Sequence, residues 1–371
     1  MKKVKRLAWG VGIGLILVAL LTGVLLAQEK TIKLRGQCAH SPGTFDYICY
    51  ENIVKRIEEM TEGKVKMELL APGTIVPAFE VLDAANRGVL DFAASWIGYW
   101  VGKNSAFTLF SSATGGPFGM DNWDVLAWYY FGGGQKLLEE VFTATGYNNV
   151  VTFLAKGEFP EPLGWFPKPV TKYEDLKGYK MRVAGLAAEV FKEAGVSVVT
   201  VPGGEILPLL ERKAIDATEY SDPHSDLLLG IPDVLKYYHA PGVHQPTGFM
   251  GIHFNKKKWE ALPKEVRNVI ELVCHEMVFK NTLAEWSLGI EALTKMEKEF
   301  GVKVVKTPED VLLSLVKAWD KVAARECEKN PLFKKIYDAQ REWASKYVPF
   351  RQKFFIDYSI IANYYWEEKK Q

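Results

Sequence analysis

No GxSxG elbow, HExxH pair or Walker loop occurs anywhere in the chain, so the common hydrolase, zinc-protease and nucleotide chemistries lack their motifs. The nearest approach to GxGxxG, Gly10 to Gly14, lies inside an N-terminal apolar run. "FGGGQK" at 131–136 has no Lys-Ser/Thr ending and follows a helical pattern, so it reads as a helix-breaking turn. Cysteine is scarce. Cys38, Cys49, Cys274 and Cys327 are scattered with no CxxC, which supports neither a zinc site nor a redox motif. An exported chain could pair Cys38 with Cys49, a point the sequence leaves open. His40, His224, His239, His244, His253 and His275 show no ligand spacing on a helix, and each reads as a local hydrogen-bonding residue. An excess of charge is missing too: 46 Lys and Arg face 45 Asp and Glu, with no basic block, which argues against nucleic acid as a partner.

One long apolar run is present, from Leu7 to Ala27, preceded by Lys2, Lys3, Lys5 and Arg6. Followed by polar Gln28, Glu29 and Lys30, it reads as an export signal with cleavage after Ala27, and an uncleaved membrane anchor is the alternative. Either way the folded part lies outside the cytoplasm. No cysteine follows the run closely enough for a lipid anchor.

After the run the chain alternates between strand and helix patterns. "TIKLRGQCAH", "KVKMELLAPG" and Leu90 to Ser95 read as strands, separated by an amphipathic helix from Tyr47 to Met60 and a second one stopped at Gly88. From Val150 the pattern restarts with "NVVTFLA", "YKMRVA" and "VSVVTVPG", then a short strand from Ala217 to Tyr220 and another at "GFMGIHFN". Beyond Pro263 the pattern is helical except for "GVKVVKT" at 301–307. This alternation predicts a mostly parallel α/β architecture in two lobes, with strands near 152 and 250 crossing between them and a ligand cleft in between.

Arg182 ends the strand "YKMR", where an α/β sheet presents its ligand face. An arginine there needs an anion, because it cannot shed its charge. An intramolecular carboxylate, a guanidinium reaching out to water and a ligand carboxylate gripped by the planar fork all meet that need. Three other loops at strand ends combine polar and aromatic residues. "ASWIGYWVGKN" carries Trp96 and Tyr99, with Trp100 read as core; "GEFPEPLGWF" carries Glu158 and Glu161; "DATEYSDPHSD" carries Glu219. Arginine plus two carboxylates would repel an anionic ligand unless a cation sat among them, and hard cations take the oxygen ligands these loops offer.

The order of "WIGYWVGKNSAFTLFSSATGGPFGM", "WYYFGGGQKLLEE", "DLKGYKMRVAGLAAEVFKEAG", "VPGGEILPLLERKAIDATEY" and "NKKKWEALP" resembles the DctP-like extracytoplasmic solute receptors of tripartite ATP-independent periplasmic (TRAP) transporters, nearest the branch that binds α-keto and hydroxy carboxylates. The resemblance implies a two-lobed periplasmic-binding-protein-like α/β fold with an interlobe ligand cleft, a long connecting helix and C-terminal helices. It implies that Arg182 grips the ligand carboxylate and that Glu219 and the Tyr220 carbonyl hold a metal cation. The chain departs from that branch at two places: Glu161 stands where a Gln is usual, and Gln245, in "HQPTG", where a Glu is usual. A carboxylate and an amide have exchanged places, which keeps the charge of the site and favours keeping a cation, Ca²⁺ or Na⁺.

The resulting expectations are as follows. Residues 28–154 with about 249–300 form lobe I and the connecting helix, 155–248 with about 301–330 form lobe II, and 331–371 form a helical extension. Arg182, Trp96, Tyr99, Glu161, Tyr220 and Gln245 bind a small 2-oxo or 2-hydroxy monocarboxylate such as pyruvate or lactate; Glu219, Tyr220, Glu161 and Gln245 hold the cation. The partners are that acid and a TRAP permease in the membrane, and the protein is a periplasmic receptor with no catalytic residues. Phe333, Ile336 and Tyr337 begin an apolar stripe that either packs on the protein's own lobes or forms a homodimer interface through the C-terminal helices, as the resemblance implies. A secreted metal-dependent enzyme acting on a carboxylate, and a membrane-tethered carboxylate sensor, are the competing readings.

Overall fold

The computed structural model describes residues 31–366; the export signal and its cleavage site lie outside them. In chain order the first part runs β1 (Ile32–Cys38), α1 (Phe45–Met60), β2 (Val65–Leu70), α2 (Val81–Arg87), β3 (Phe92–Trp96), α3 (Asn122–Phe131), α4 (Gly134–Ala144) and β4 (Val150–Gly157). The second part runs β5 (Gly164–Phe166), β6 (Lys180–Arg182), α5 (Ala187–Glu193), β7 (Ser197–Val199), α6 (Ile206–Glu211), β8 (Ala217–Thr218), α7 (Pro223–Leu228) and β9 (Tyr237–Ala240). The chain returns through β10 (Phe249–Asn255) to α8 (Lys264–Glu299), then β11 (Lys303–Lys306), α9 (Glu309–Lys329), α10 (Pro331–Phe354) and α11 (Tyr358–Trp366).

Two sheets result, ordered β2-β1-β3-β10-β4 and β11-β9-β5-β8-β6-β7. They are mixed rather than mostly parallel. β1 runs parallel to β2 and β3, but β10 is antiparallel to both β3 and β4, because the chain re-enters the first sheet from the second. β5 is likewise antiparallel to β8 and β9. The strands near 152 and 250 do not themselves cross. β4 and β10 are partners inside the first sheet, and the irregular segments 158–163 and 241–248 carry the chain between sheets. Gly164 makes one of these junctions possible: its φ is +125°, and a Cβ there would meet the Thr218 carbonyl oxygen at 2.4 Å.

α8 is the long connector. At 36 residues it extends roughly 54 Å, enough to lie against β4 and α1 of the first lobe and α7 of the second. Cys38 and Cys49 are buried free thiols, not a disulfide. Each has a local partner: Cys38 Sγ accepts from the His40 N–H at 3.4 Å, and Cys49 Sγ donates to the Asp46 carbonyl at 3.3 Å. The start of the C-terminal stripe is also spoken for. Phe333, Ile336 and Tyr337 are buried, Phe333 against Trp319 of α9 and Tyr337 against Phe118, while Gln340 Nε2 donates to the Leu109 carbonyl at 2.6 Å. From Phe350 onward the apolar side chains face outward, Trp366 at 85% exposure.

Candidate functional site

The ends of β3, β6 and β8 and the two crossing segments meet around one cavity of about 30 Å³, room for roughly two or three water-sized groups. Trp96, Tyr99, Glu161, Arg182, Tyr220 and Gln245 all line it. Glu219 lies just behind, against Arg182. The loops are brought together as the pairing requires, since β6 and β8 are neighbours and both crossing segments leave the same end of the first sheet, where Gly157 pairs with Phe249.

Arg182 is 1% exposed and already engaged. Its Nε donates to the Val201 carbonyl at 3.1 Å, and Nη1 donates to Glu219 at both its carbonyl (3.2 Å) and Oε1 (3.0 Å). Nη2 makes no hydrogen bond among the described residues, and the guanidinium lies 5.5 Å above the Tyr220 ring. Part of the fork is thus held by a protein carboxylate, the intramolecular alternative that the sequence left open. Burial opposes the charge, but Glu219 overcomes it and holds the Arg182 pKa above its ordinary value.

Glu219 Oε1 also accepts from the Ala184 N–H at 2.6 Å, whereas its Oε2 is buried without a partner. Glu161 Oε1 and both ring nitrogens of His244 are buried and unpartnered in the same way. Ligand atoms of these three residues lie within 4.8 Å of one another. Burial, reinforced by Glu219, pushes the Glu161 carboxyl well above the carboxylate range, and burial lowers His244 to about 4, leaving a neutral imidazole. The expectation that His244 is a locally hydrogen-bonded histidine is therefore corrected: neither nitrogen is bonded, and Glu161 Oε1 stands 3.8 Å from Nε2, too far for a hydrogen bond. Gln245 closes the cavity from the side, its Nε2 donating to Ser112 Oγ at 3.1 Å and to the Ala184 carbonyl at 3.5 Å, one contact in each lobe.

The opposite wall holds residues that sequence reasoning missed. His40 follows β1, and its Nε2 accepts from the Trp96 N–H at 3.2 Å, which places the proton on Nδ1. That nitrogen faces Tyr220 Oη at 3.4 Å and Asp46 Oδ2 at 3.6 Å. Behind it lies Lys156, wholly buried on β4, with Asp46 Oδ1 at 3.1 Å, Glu158 Oε2 at 3.6 Å and Glu285 Oε1 in contact. Burial works against the ammonium, yet Glu285, Asp46 and Glu158 together hold its pKa well above the ordinary lysine value. Of this group only Glu158 stood out, in its proline-rich loop; Lys156, a charge closing an apolar strand pattern, was the other available signal.

The profile of the bacterial extracellular solute-binding proteins, family 7, matches residues 37–330. A monocarboxylate 2-oxoacid-binding periplasmic protein of Nostoc sp. is 32% identical over 315 residues, covering 85% of this chain and 82% of its own. Among solved structures, a TRAP transporter solute-binding protein of Bordetella bronchiseptica, a mixed-occupancy dimer with copurified calcium and picolinate, superposes with a TM-score of 0.83 at 27% identity, covering 91% of this chain and 98% of that one. A TRAP periplasmic solute-binding protein of Pseudoalteromonas atlantica with bound sodium and pyruvate shares the fold at a TM-score of 0.80 and 24% identity, covering 90% and 99%.

Proposed function

The chain belongs to family 7 of the bacterial extracellular solute-binding proteins, and on that premise we propose that it captures a small 2-oxo or 2-hydroxy monocarboxylate, such as pyruvate or lactate, together with a metal cation, and delivers it to a TRAP-type permease. The family is one of extracytoplasmic receptors, not enzymes. The observation that carries the reading is the convergence of orphaned buried atoms from Glu161, Glu219 and His244 beside Arg182, at the cavity between the strand ends.

Unpaired buried carboxylate oxygens are unfavourable, and a cation among them relieves that cost. Glu161, Glu219, the Tyr220 carbonyl and Gln245 would supply a hard, oxygen-rich shell of the kind Ca²⁺ and Na⁺ take, and two carboxylates favour the divalent ion. Bound there, the cation would supply positive charge for the ligand's own oxygens. Arg182, with Nη2 still free, grips the ligand carboxylate, and Trp96 and Tyr99 give the cavity its apolar walls. Residues 28–154 with about 249–300 and 155–248 with about 301–330 move as two lobes that close over the acid. Cleavage after Ala27 releases the receptor into the periplasm.

The deciding experiment is calorimetric titration of pyruvate and lactate into chelator-stripped protein in sodium-free buffer, then with Ca²⁺ or Na⁺ restored. Binding should need one of the ions, and Glu219→Gln should blunt that need. Equal affinity in every buffer removes the cation from the reading, and conversion of the acid during incubation, seen by mass analysis, would make the protein an enzyme.

The exposed apolar side chains from Phe350 to Trp366 suit a homodimer contact formed by the C-terminal helices. Light scattering should show a dimer that becomes monomeric when the chain ends near Tyr347. A monomer at high concentration in the full-length protein rejects it.

A further inference from the structure

The residues around the cavity fall into two groups, bridged by His40. Arg182, Glu161 and Gln245 make one; Asp46, Glu158 and Ser221, gathered near Lys156, make the other. His40 Nδ1 faces Asp46 on one side and Tyr220, under Arg182, on the other. In the second group Asp46 is fully occupied: Oδ1 meets Lys156 at 3.1 Å and Ser221 Oγ at 3.5 Å, and Oδ2 meets His40. Glu158 is not. Its Oε2 stays 3.6 Å from the Lys156 ammonium, and its Oε1 is buried with no hydrogen-bond partner among the described residues. Burial, only partly offset by Lys156, pushes this carboxyl up to about 7, and ionised or protonated it keeps an oxygen able to accept.

This inference rests on the proposed function, which directs the ligand's carboxylate toward Arg182. The far end of a short acid then meets Glu158. A methyl group there leaves the Glu158 oxygen unsatisfied, whereas a hydroxyl donates to it. We propose that Glu158 is a specificity-determining residue, and that the substrate class is a short 2-oxo or 2-hydroxy acid bearing a hydroxyl on the carbon farthest from the carboxylate.

Competition calorimetry of 3-hydroxypyruvate against pyruvate, and of glycerate against lactate, tests it in the calcium-loaded protein. The hydroxylated acid of each pair should bind at least about tenfold more tightly, the ratio expected when one buried acceptor gains or lacks its donor. Glu158→Leu should bring both ratios close to one, and Glu158→Ala serves if the leucine variant does not fold. Ratios near one in the wild type, or ratios retained in the variants, overturn the inference. Arg182→Lys separates this from the broader reading: it should weaken all four acids together whether or not the ratios exist. If none of the four binds the wild type, both readings fall.

Discussion

Around Lys156, three carboxylates surround an ammonium that the chain itself provides; around Glu161, Glu219 and His244, the corresponding centre holds no protein cation. Both clusters are buried, both are rich in acid, and they share one cavity. The first has its own cation at the centre, although Glu158 Oε1 and Glu285 Oε2 are left without a hydrogen-bond partner among the described residues. The second meets Arg182 through the Glu219 carbonyl and Oε1, and leaves Glu161 Oε1, Glu219 Oε2 and both His244 ring nitrogens without partners among the described residues. A buried carboxylate therefore says little by itself. What distinguishes a binding centre from a structural ion pair is which atoms lack partners and whether they converge.

The largest effect should come from removing the built-in cation. Lys156→Met keeps the volume of the side chain but strands Asp46, which the ammonium holds below the ordinary Asp value against the effect of burial. Breaking a buried pair in this way costs about 3–5 kcal/mol, readable as a shift in denaturant midpoint. The same treatment of the other cluster should act on binding instead. Arg182→Lys keeps the charge, so stability should fall less, while ligand affinity falls on the order of 100-fold as the planar fork is lost. If Arg182→Lys destabilises the protein as much as Lys156→Met and leaves affinity intact, the two clusters are alike and Arg182 is structural.

The contrast between the clusters also marks what the sequence could convey. Arg182, Glu161 and Glu219 were visible because each ends a strand pattern or stands in a loop rich in proline, where a charge has few local partners; Gln245 was singled out only through the family resemblance. Of the cluster around Lys156, only Glu158 was. Its members come from α1, β4, the crossing segment and α8, and Asp46 and Glu285 each look like a helical surface charge until those elements pack. His40 and His244 have no local spacing to betray them, since His40 is tied to Trp96 and Tyr220, far along the chain. In the fold, the two-lobed α/β plan and the helical C-terminus were legible from periodicity. β5 and β9 were not: β6, β7 and β8 are just as short, but they adjoin helix patterns, whereas β5 follows a proline-rich segment and β9 runs into Pro241.

Acidity should have a smaller effect, acting mostly through Asp226, which belongs to neither cluster. Asp226, buried and held by Trp165 Nε1 at 2.7 Å, is pushed up to about 8 by burial, and Glu158 up to about 7. Each keeps its proton in the folded protein where the unfolded chain has lost it, so each stabilises fully below its ordinary value and ceases to as pH rises through its folded value. His239 and His253 act in the opposite sense: burial lowers them to about 4 and about 3, so their contribution is complete above the ordinary histidine value and shrinks as pH falls. Below about pH 6.5 these two pairs oppose one another. Above it only the carboxyls continue to change, and stability should fall by up to about 2 kcal/mol between pH 6.5 and 8 from Asp226, at about 1.4 kcal/mol per pH unit. Denaturant titrations across that range check the slope. Asp226→Asn, which can still accept from Trp165, should flatten it. Chelator should steepen the slope, because Glu161, pushed up by burial and by Glu219 when no cation is present, then keeps its proton in the folded protein as well. A slope unchanged in Asp226→Asn would place the pH response at another buried carboxyl and remove Asp226 from it.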